Sequence, residues 1–407
     1  MNKNQEKGLF FITDSYPFGN GESFIENEIN YLAENFKIIF IISRNTSDIQ
    51  TRKVPKNCLV YRISKDYKKM FNILLDKYYL SDLINNFDFK NLKKVIGFQF
   101  HSKLIENKIL EIIKKYNFKK ENMIIYSYWF FYGAYAGCNL KKRNIIKKVI
   151  SRAHGYDLYL ERGYQPLKKE ILERIDMIYP CSKKGEEYLK NLYKKENIKY
   201  SYLGTVNNNQ FILRNKSYKI ISCSNIISLK RVDLIILALE ILEKKYKNLK
   251  WIHFGSGIEE EKIKKMAEEK LKEITYEFKG HCENKDVLEY YKNNEILLFL
   301  HLSSSEGLPV SMMEAQSYGI PIVATDVGGV DEIVNEKTGI LLSANLTILE
   351  IVEGIEKILN LSKDEYNKYQ INSYRNWKKI FDAEKNYKDF IKELFDENKK
   401  YNIIFLY

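Results

Sequence analysis

Twice along this chain a short apolar run passes through a loop into an amphipathic helix, and each time a new alternation of strands and helices begins. The first start is Gly8–Thr13, the two-glycine loop 14–21, and a helix expected over about 22–35 with Ile25, Ile29 and Leu32 at helical spacing. The second is a run at 219–224, the loop 225–230, and a helix expected from Val232 to Tyr246, apolar at Leu234, Ile235, Ala238, Leu239 and Leu242. Apolar runs at 38–42, 123–126, 148–150 and 177–179 continue the first series; runs at 250–257, 276–280, 296–302 and 321–325 continue the second. Such alternation builds parallel sheets. The expected architecture is α/β with two Rossmann-like domains, 1–205 and 206–375, and a C-terminal helix, 376–407, crossing back to the first. A chain of 407 residues is long enough for two such cores.

Charge and cysteine use narrow the partners. The 66 Lys and Arg against 53 Asp and Glu leave a net charge of +13, which favours anionic ligands without choosing among them. The lysines are scattered among acidic residues rather than gathered into a patch, so no nucleic-acid partner is expected. Cys58, Cys138, Cys181, Cys223 and Cys282 show no paired spacing, which suits a reducing compartment. The polar N-terminus and its six-residue apolar run are too short for a signal peptide, so a cytoplasmic location is expected. Over 65–120, lysines interleave with Met70, Phe71, Leu74, Leu75, Leu104, Ile105, Ile109, Ile112 and Ile113. Such a face packs on a core or, as the lesser reading, makes weak peripheral contact with an anionic membrane.

The chemistry is concentrated in 296–340. Pro309 or Val310 suits a helix onset and Gly319 its C-terminal cap. The uncapped amides of that onset favour an anionic or hydroxyl-rich ligand. Glu306 precedes the helix and Glu314 lies on it. Eight helical steps span about 12 Å, beyond the roughly 5–9.5 Å between glycosidase carboxylates, so sugar-hydroxyl recognition is preferred to an acid/base pair. By themselves, two glutamates at this spacing are more often solvated surface residues. A dinucleotide oxidoreductase would need G-x-G-x-x-G after its first strand; Gly19-Asn20-Gly21-Glu22-Ser23-Phe24 lacks the third glycine.

Glu306-Gly307-Leu308-Pro309-Val310-Ser311, then Glu314-Ala315, Ser317, Gly319, Pro321, the run Ala324–Gly329 and Glu332 together resemble the donor signature of family four retaining glycosyltransferases. The resemblance implies a GT-B fold, two Rossmann-like domains facing across a cleft, and transfer that needs neither metal nor cofactor. It implies that Glu306 contacts the donor sugar, that the backbone of Gly307, Leu308, Pro309 and Val310 contacts sugar or phosphate, and that Glu314 binds the ribose. Lys230 stands where the family has a diphosphate-binding lysine, and a cation there offsets charge on the leaving nucleotide. Asn225 replaces the family's usual arginine, with Arg231 or Arg152 as candidates to compensate.

The same resemblance places His154 beside the donor sugar, making Glu306, His154 and Lys230 the catalytic candidates. It places Gly19 and Gly21 in a loop whose amides reach diphosphate or acceptor, and Gly255, Gly280 and His281 around the base. The aromatic run Tyr128–Tyr132 is read as core or as an acceptor platform. The expected substrates are a nucleotide diphosphate sugar, UDP-linked by family preference, and a glycan or lipid-linked acceptor in surface polysaccharide or glycolipid assembly. A nucleotide-sugar epimerase of the same fold is the nearest alternative.

Overall fold

A computed structural model describes residues 7–44, 49–63, 92–117, 119 and 122–396. Two compact units are formed, one from residues up to Ser201 together with those from Tyr387 onward, the other from Tyr202–Asn386.

In the first unit the strands are β1 (Gly8–Thr13), β2 (Ile38–Ser43), β3 (Cys58–Arg62), β4 (Met123–Ser127), β5 (Lys148–Ala153) and β6 (Met177–Pro180). They pair in parallel in the order β3-β2-β1-β4-β5-β6. β1 and β4 are buried along their whole length, as continuous apolar strands covered on both faces must be. One face packs on the helices Leu92–Tyr116 and Tyr132–Lys142, the other on Glu26–Asn35 and the end of the chain through Phe390, Ile391 and Leu394.

The second unit repeats the plan with β7 (Lys219–Cys223), β8 (Lys250–Phe254), β9 (Thr275–Phe278), β10 (Leu298–His301), β11 (Ile322–Thr325) and β12 (Gly339–Leu342). Their order is β12-β11-β10-β7-β8-β9, again parallel. In both sheets the order reverses beside the first strand, at β1/β4 and at β7/β10. Loops leaving the carboxyl ends of such a strand pair diverge and open a crevice for ligand. The α/β expectation therefore holds in both halves, and the loops that carry the candidate residues leave the carboxyl ends of strands in these two sheets, those of Lys230 and Glu306 at β7 and β10.

Several local expectations change. The helix expected from residue 22 begins as a 3-10 turn, Ser23–Ile25, and becomes α-helical only over Glu26–Asn35, because Glu22 turns into the left-handed region at φ 59°. The C-terminal helix expected over 376–407 is not continuous: one helix, Lys363–Ile380, ends inside that range and a second, Ala383–Phe395, follows it. At the break Thr205 exchanges backbone hydrogen bonds with Phe381 and Ala383, while Asp382 accepts from the amides of Glu384 and Lys385.

Of the 65–120 stretch, Met70, Phe71, Leu74 and Leu75 lie outside the described residues. In its helical part Leu104, Ile105, Ile109 and Ile112 are buried in the first core. That part of the apolar face packs on the core of the first unit. No helix among the described residues is long and apolar enough to cross a membrane.

Candidate functional site

In the second unit, the loop after β7 and the loop after β10 bring Lys230 and Glu306 together. The Glu306 carboxylate pairs with the Lys230 ammonium and accepts from His301 Nε2 at 2.8 Å. Ser303 Oγ stands 3.0 Å from the same His301 nitrogen. Ser304 N donates to Leu229 O at 2.9 Å, tying the two loops just beside the pair. Burial alone would push the Glu306 carboxyl up, but the His301 hydrogen bond and the His301 and Lys230 charges outweigh it and hold the group well below the usual carboxylate range. The cluster thus presents an ionised carboxylate and an ammonium to the crevice.

The backbone under Glu306 is fixed by the glycine pair after β11. A Cβ on Gly328, which has φ +56°, would lie 1.9 Å from Glu306 O, and Gly329 N donates to Gly307 O at 2.9 Å. Only glycine permits that approach. Gly307, Leu308 and Pro309 are buried, and Pro309 is the N-cap of the helix Val310–Ser317, with no side chain closing its first turn. Val310 is half-buried. This onset falls where the sequence places it.

Glu314, four residues into that helix, is 6% exposed and accepts from Asn284 Nδ2 at 2.7 Å. Burial pushes its carboxyl up to about 7, against the Asn284 hydrogen bond. Glu306 and Glu314 therefore meet neutral pH differently, one ionised and the other balanced between two states. His301 and Asn284 are absent from the sequence reading. Each is a single polar residue at the end of a strand or the start of a helix, and its partner is set by the fold.

Asn225 is exposed. Its loop rests on the turn after β8: Ile226 N donates to Ser256 O at 2.9 Å, and added Cβ atoms on Gly255 and Gly257 would stand 1.9 and 2.2 Å from Ser224 O and Ile226 O. Gly255, at φ +134°, donates to Gly280 O at 2.8 Å, so both glycines shape this loop cluster. His281 is exposed beside them. Arg231 is engaged within the unit. At φ 49° its guanidinium turns inward to Leu302 O, to Ser303 O at 2.9 Å and to Thr325 Oγ1 at 3.0 Å, bracing the strand ends.

Arg152, in the first unit, is fully buried in a pair with Glu28, so its guanidinium is not open to a phosphate. His154 follows β5 and is 8% exposed, with its ring against Tyr128, Trp129 and Phe24. Its Nε2 lies 3.1 Å from Tyr128 O, which can only accept, so this nitrogen carries the proton. Burial, aided by the Arg152 charge, lowers its pKa to about 3, leaving a neutral ring. Beneath it, Asp157 accepts from the amides of His154 and Phe130, each at 2.5 Å, and the buried Lys168 donates to Asp157 O at 2.6 Å and to Phe130 O. The sequence reading missed this lysine.

The Gly19–Gly21 loop also differs from expectation. The carbonyls of Gly19 and Gly21 accept from Thr51 and Arg52, at 2.7 and 2.6 Å. The amides that converge in this loop belong to Asp14, Ser15 and Tyr16, and Glu22 occupies them. The aromatic run divides by face: Tyr128 and Phe130 are core, whereas Trp129, Phe131 and Tyr132 line a cavity of about 330 Å³ at the ends of β1 and β4.

Residues 205–377, most of the second unit, match the family model described as "Glycosyl transferases group 1". An uncharacterized glycosyltransferase of Haemophilus influenzae is 28% identical over 222 residues, 53% of this chain and 61% of that protein. The GtfA subunit of a UDP-N-acetylglucosamine–peptide N-acetylglucosaminyltransferase from Streptococcus gordonii is 30% identical over 151 residues, 36% of this chain and 29% of that protein. The chain thus spans less than two thirds of the length of these curated relatives. Among solved structures, a mutant of S. aureus TarM in complex with Fondaparinux, alpha-GlcNAc-glycerol and UDP superposes with TM-score 0.69 at 15% identity, over 95% of this chain and 99% of that one. The chain therefore has the GT-B fold, and its second unit carries the sequence match to group 1 glycosyl transferases.

Proposed function

We propose that this chain is a glycosyltransferase that moves a sugar, with retention, from a nucleotide diphosphate donor to a glycan or lipid-linked acceptor, and that UDP-sugars are its donors. The observation that carries this reading is the Glu306–Lys230 pair, backed by His301, at the β7/β10 crevice of the unit that matches group 1 glycosyl transferases. In this reading Glu306 accepts from donor-sugar hydroxyls and Glu314 from the ribose. The first-turn amides at Val310 face the donor's charge. Lys230 moves from Glu306 toward the diphosphate and supplies the positive charge that a metal would otherwise provide. The acceptor oxygen bonds to the anomeric carbon as the bond to the diphosphate breaks, and the hydroxyl proton passes to the departing phosphate. UDP in the TarM complex and UDP-N-acetylglucosamine in the GtfA name support the choice of base.

A thermal-shift panel of UDP, GDP, ADP and NAD tests the reading. At a hundredfold excess over Kd, a ligand of the folded state adds about 2.7 kcal/mol, worth roughly 5–11 °C for a domain of this size. UDP is expected to give the largest shift and Glu314→Ala to remove most of it; stabilisation by NAD alone would sink the assignment.

Glu314 also sets a pH dependence. Ribose hydroxyls donating to it favour the carboxylate, so binding must expel the proton that burial retains up to about pH 7. Affinity for a UDP-sugar, whose diphosphate keeps its charge in this range, should therefore rise about tenfold from roughly pH 6 to pH 8 and then level off. Without ligand the same shift acts on stability with the opposite sense. The folded state holds a proton that the unfolded chain has released, so this group's contribution falls as pH rises from 4.5 to about 7. Titration calorimetry across pH checks the first effect, and an unchanged slope in Glu314→Gln would assign it elsewhere.

A further inference from the structure

Glu22, in the loop after β1, is a heavily bonded carboxylate among the described residues, and the proposed donor chemistry leaves it without a role. It is 7% exposed and sits at φ 59°, a backbone region that disfavours a residue bearing a side chain. Its carboxylate accepts from the amides of Asp14 at 3.0 Å, Ser15 at 2.6 Å and Tyr16 at 2.5 Å, from Ser15 Oγ at 3.0 Å, and from the Trp129 indole. Three successive amides turned toward one point form a nest that binds an anion. Here the anion is part of the chain. A Cβ on Gly21 would stand 2.8 Å from Ser15 Oγ and would displace that hydroxyl from Glu22.

The clamp joins two walls of the 330 Å³ cavity, because Asp14 and Trp129 both line it. Arg44, another wall, bonds Asp14 Oδ1 through Nε at 2.5 Å and lies over the Tyr132 ring at 5.1 Å. Phe131 and Tyr156 complete the aromatic lining. The volume is at the lower end of small-ligand sites, roughly 300–1,000 Å³. Asp14 and Arg44 cancel in charge and still offer acceptors and donors beyond their mutual bond. With the loop's own anion position filled, the cavity matches an uncharged ring that has an apolar face for the aromatics and hydroxyls for Asp14 and Arg44.

We propose that Glu22 is a positioning residue that fills the amide nest and fixes Trp129, setting this cavity to take an uncharged, polyhydroxylated sugar ring in place of a phosphate. Identifying that ring with the acceptor rests on the transferase reading; the binding chemistry does not.

The test uses the full chain and Glu22→Gly, which tolerates the left-handed backbone, with titration calorimetry against inorganic phosphate, acetate, and the methyl glycosides of glucose, galactose, mannose and N-acetylglucosamine. Wild type should bind at least one glycoside and no phosphate at millimolar concentration. Glu22→Gly should bind that glycoside about tenfold more weakly, acquire phosphate and acetate binding, and recover glycoside affinity when acetate refills the nest. Trp129→Phe, which removes only the indole donor and ring overlap, should weaken the glycoside without creating an anion site. Equal glycoside binding by wild type and Glu22→Gly, no glycoside bound by wild type, or no gain of anion binding would each overturn the proposal. The UDP-induced thermal shift, read on the same samples, should persist in every variant; its absence from wild type would count against the donor assignment instead.

Discussion

Lys230→Met is expected to lower the rate of sugar transfer by about 10²–10³-fold, the usual loss when one group stabilising transition-state charge is removed. The ammonium is mostly buried, with 18% of its side chain exposed, and it is paired to a carboxylate that burial opposes. Two explanations of such a loss must be separated. Lys230 could act on the leaving diphosphate, or it could matter only as the counter-ion of Glu306. The double variant Lys230→Met/Glu306→Gln separates them, because two groups in contact couple measurably. If Lys230 acts on the diphosphate, neutralising Glu306 cannot rescue the single variant and the double variant is at least as slow. Recovery of the double variant to within tenfold of wild type would reduce Lys230 to a counter-ion. A UDP titration alongside should show Lys230→Met binding the nucleotide more weakly.

How much of this was legible in the sequence depends on the range over which each feature is encoded. The two sheet starts are local: short uninterrupted apolar runs such as Leu9–Ile12 and Met123–Tyr126, bounded by polar or loop residues, fit strands covered on both faces. The edge strands β3 and β12 were passed over because their residues are half-exposed and alternate weakly. Glu306, Glu314 and the glycines at 328 and 329 were legible as one contiguous motif. The support of Glu314 was not, since Asn284 reaches it across 30 residues, nor in the first unit was the bond from Trp129 to Glu22, across 107.

Arg231 misled for a different reason. Its charge and position beside Lys230 suit a phosphate, but a left-handed backbone turns the guanidinium onto the carbonyls of Leu302 and Ser303. A residue's type states what it can bind. Backbone conformation decides what it faces.

Arg152, the other arginine considered for a phosphate, is instead buried in an ion pair within β5, and its surroundings yield the largest stability effect expected here. Its side chain and that of Glu28 are both 0% exposed, 3.2 Å apart between Nε and Oε2. Tyr126 Oη donates to Glu28 Oε1 at 2.8 Å and accepts from Arg152 Nε at 2.7 Å, while Arg152 Nη1 donates to Ser201 O at 2.8 Å. Phe390 covers the guanidinium at 4.3 Å, so this network also seats the returning end of the chain. Glu28→Ala leaves a buried guanidinium without its counter-charge, a change that costs about 3–5 kcal/mol and should lower the melting temperature of the first unit by roughly 6–20 °C. Glu28→Leu combined with Arg152→Met should recover most of the loss, because apolar residues of similar volume remove the desolvation cost along with the attraction. Since Arg152 lies buried away from solvent, both variants should keep the wild-type UDP-induced shift. Calorimetric melting of the full chain with and without UDP measures both quantities. A Glu28→Ala transition unmoved from wild type would show that the pair contributes nothing, and loss of UDP binding in the double variant would return Arg152 to the donor's phosphates.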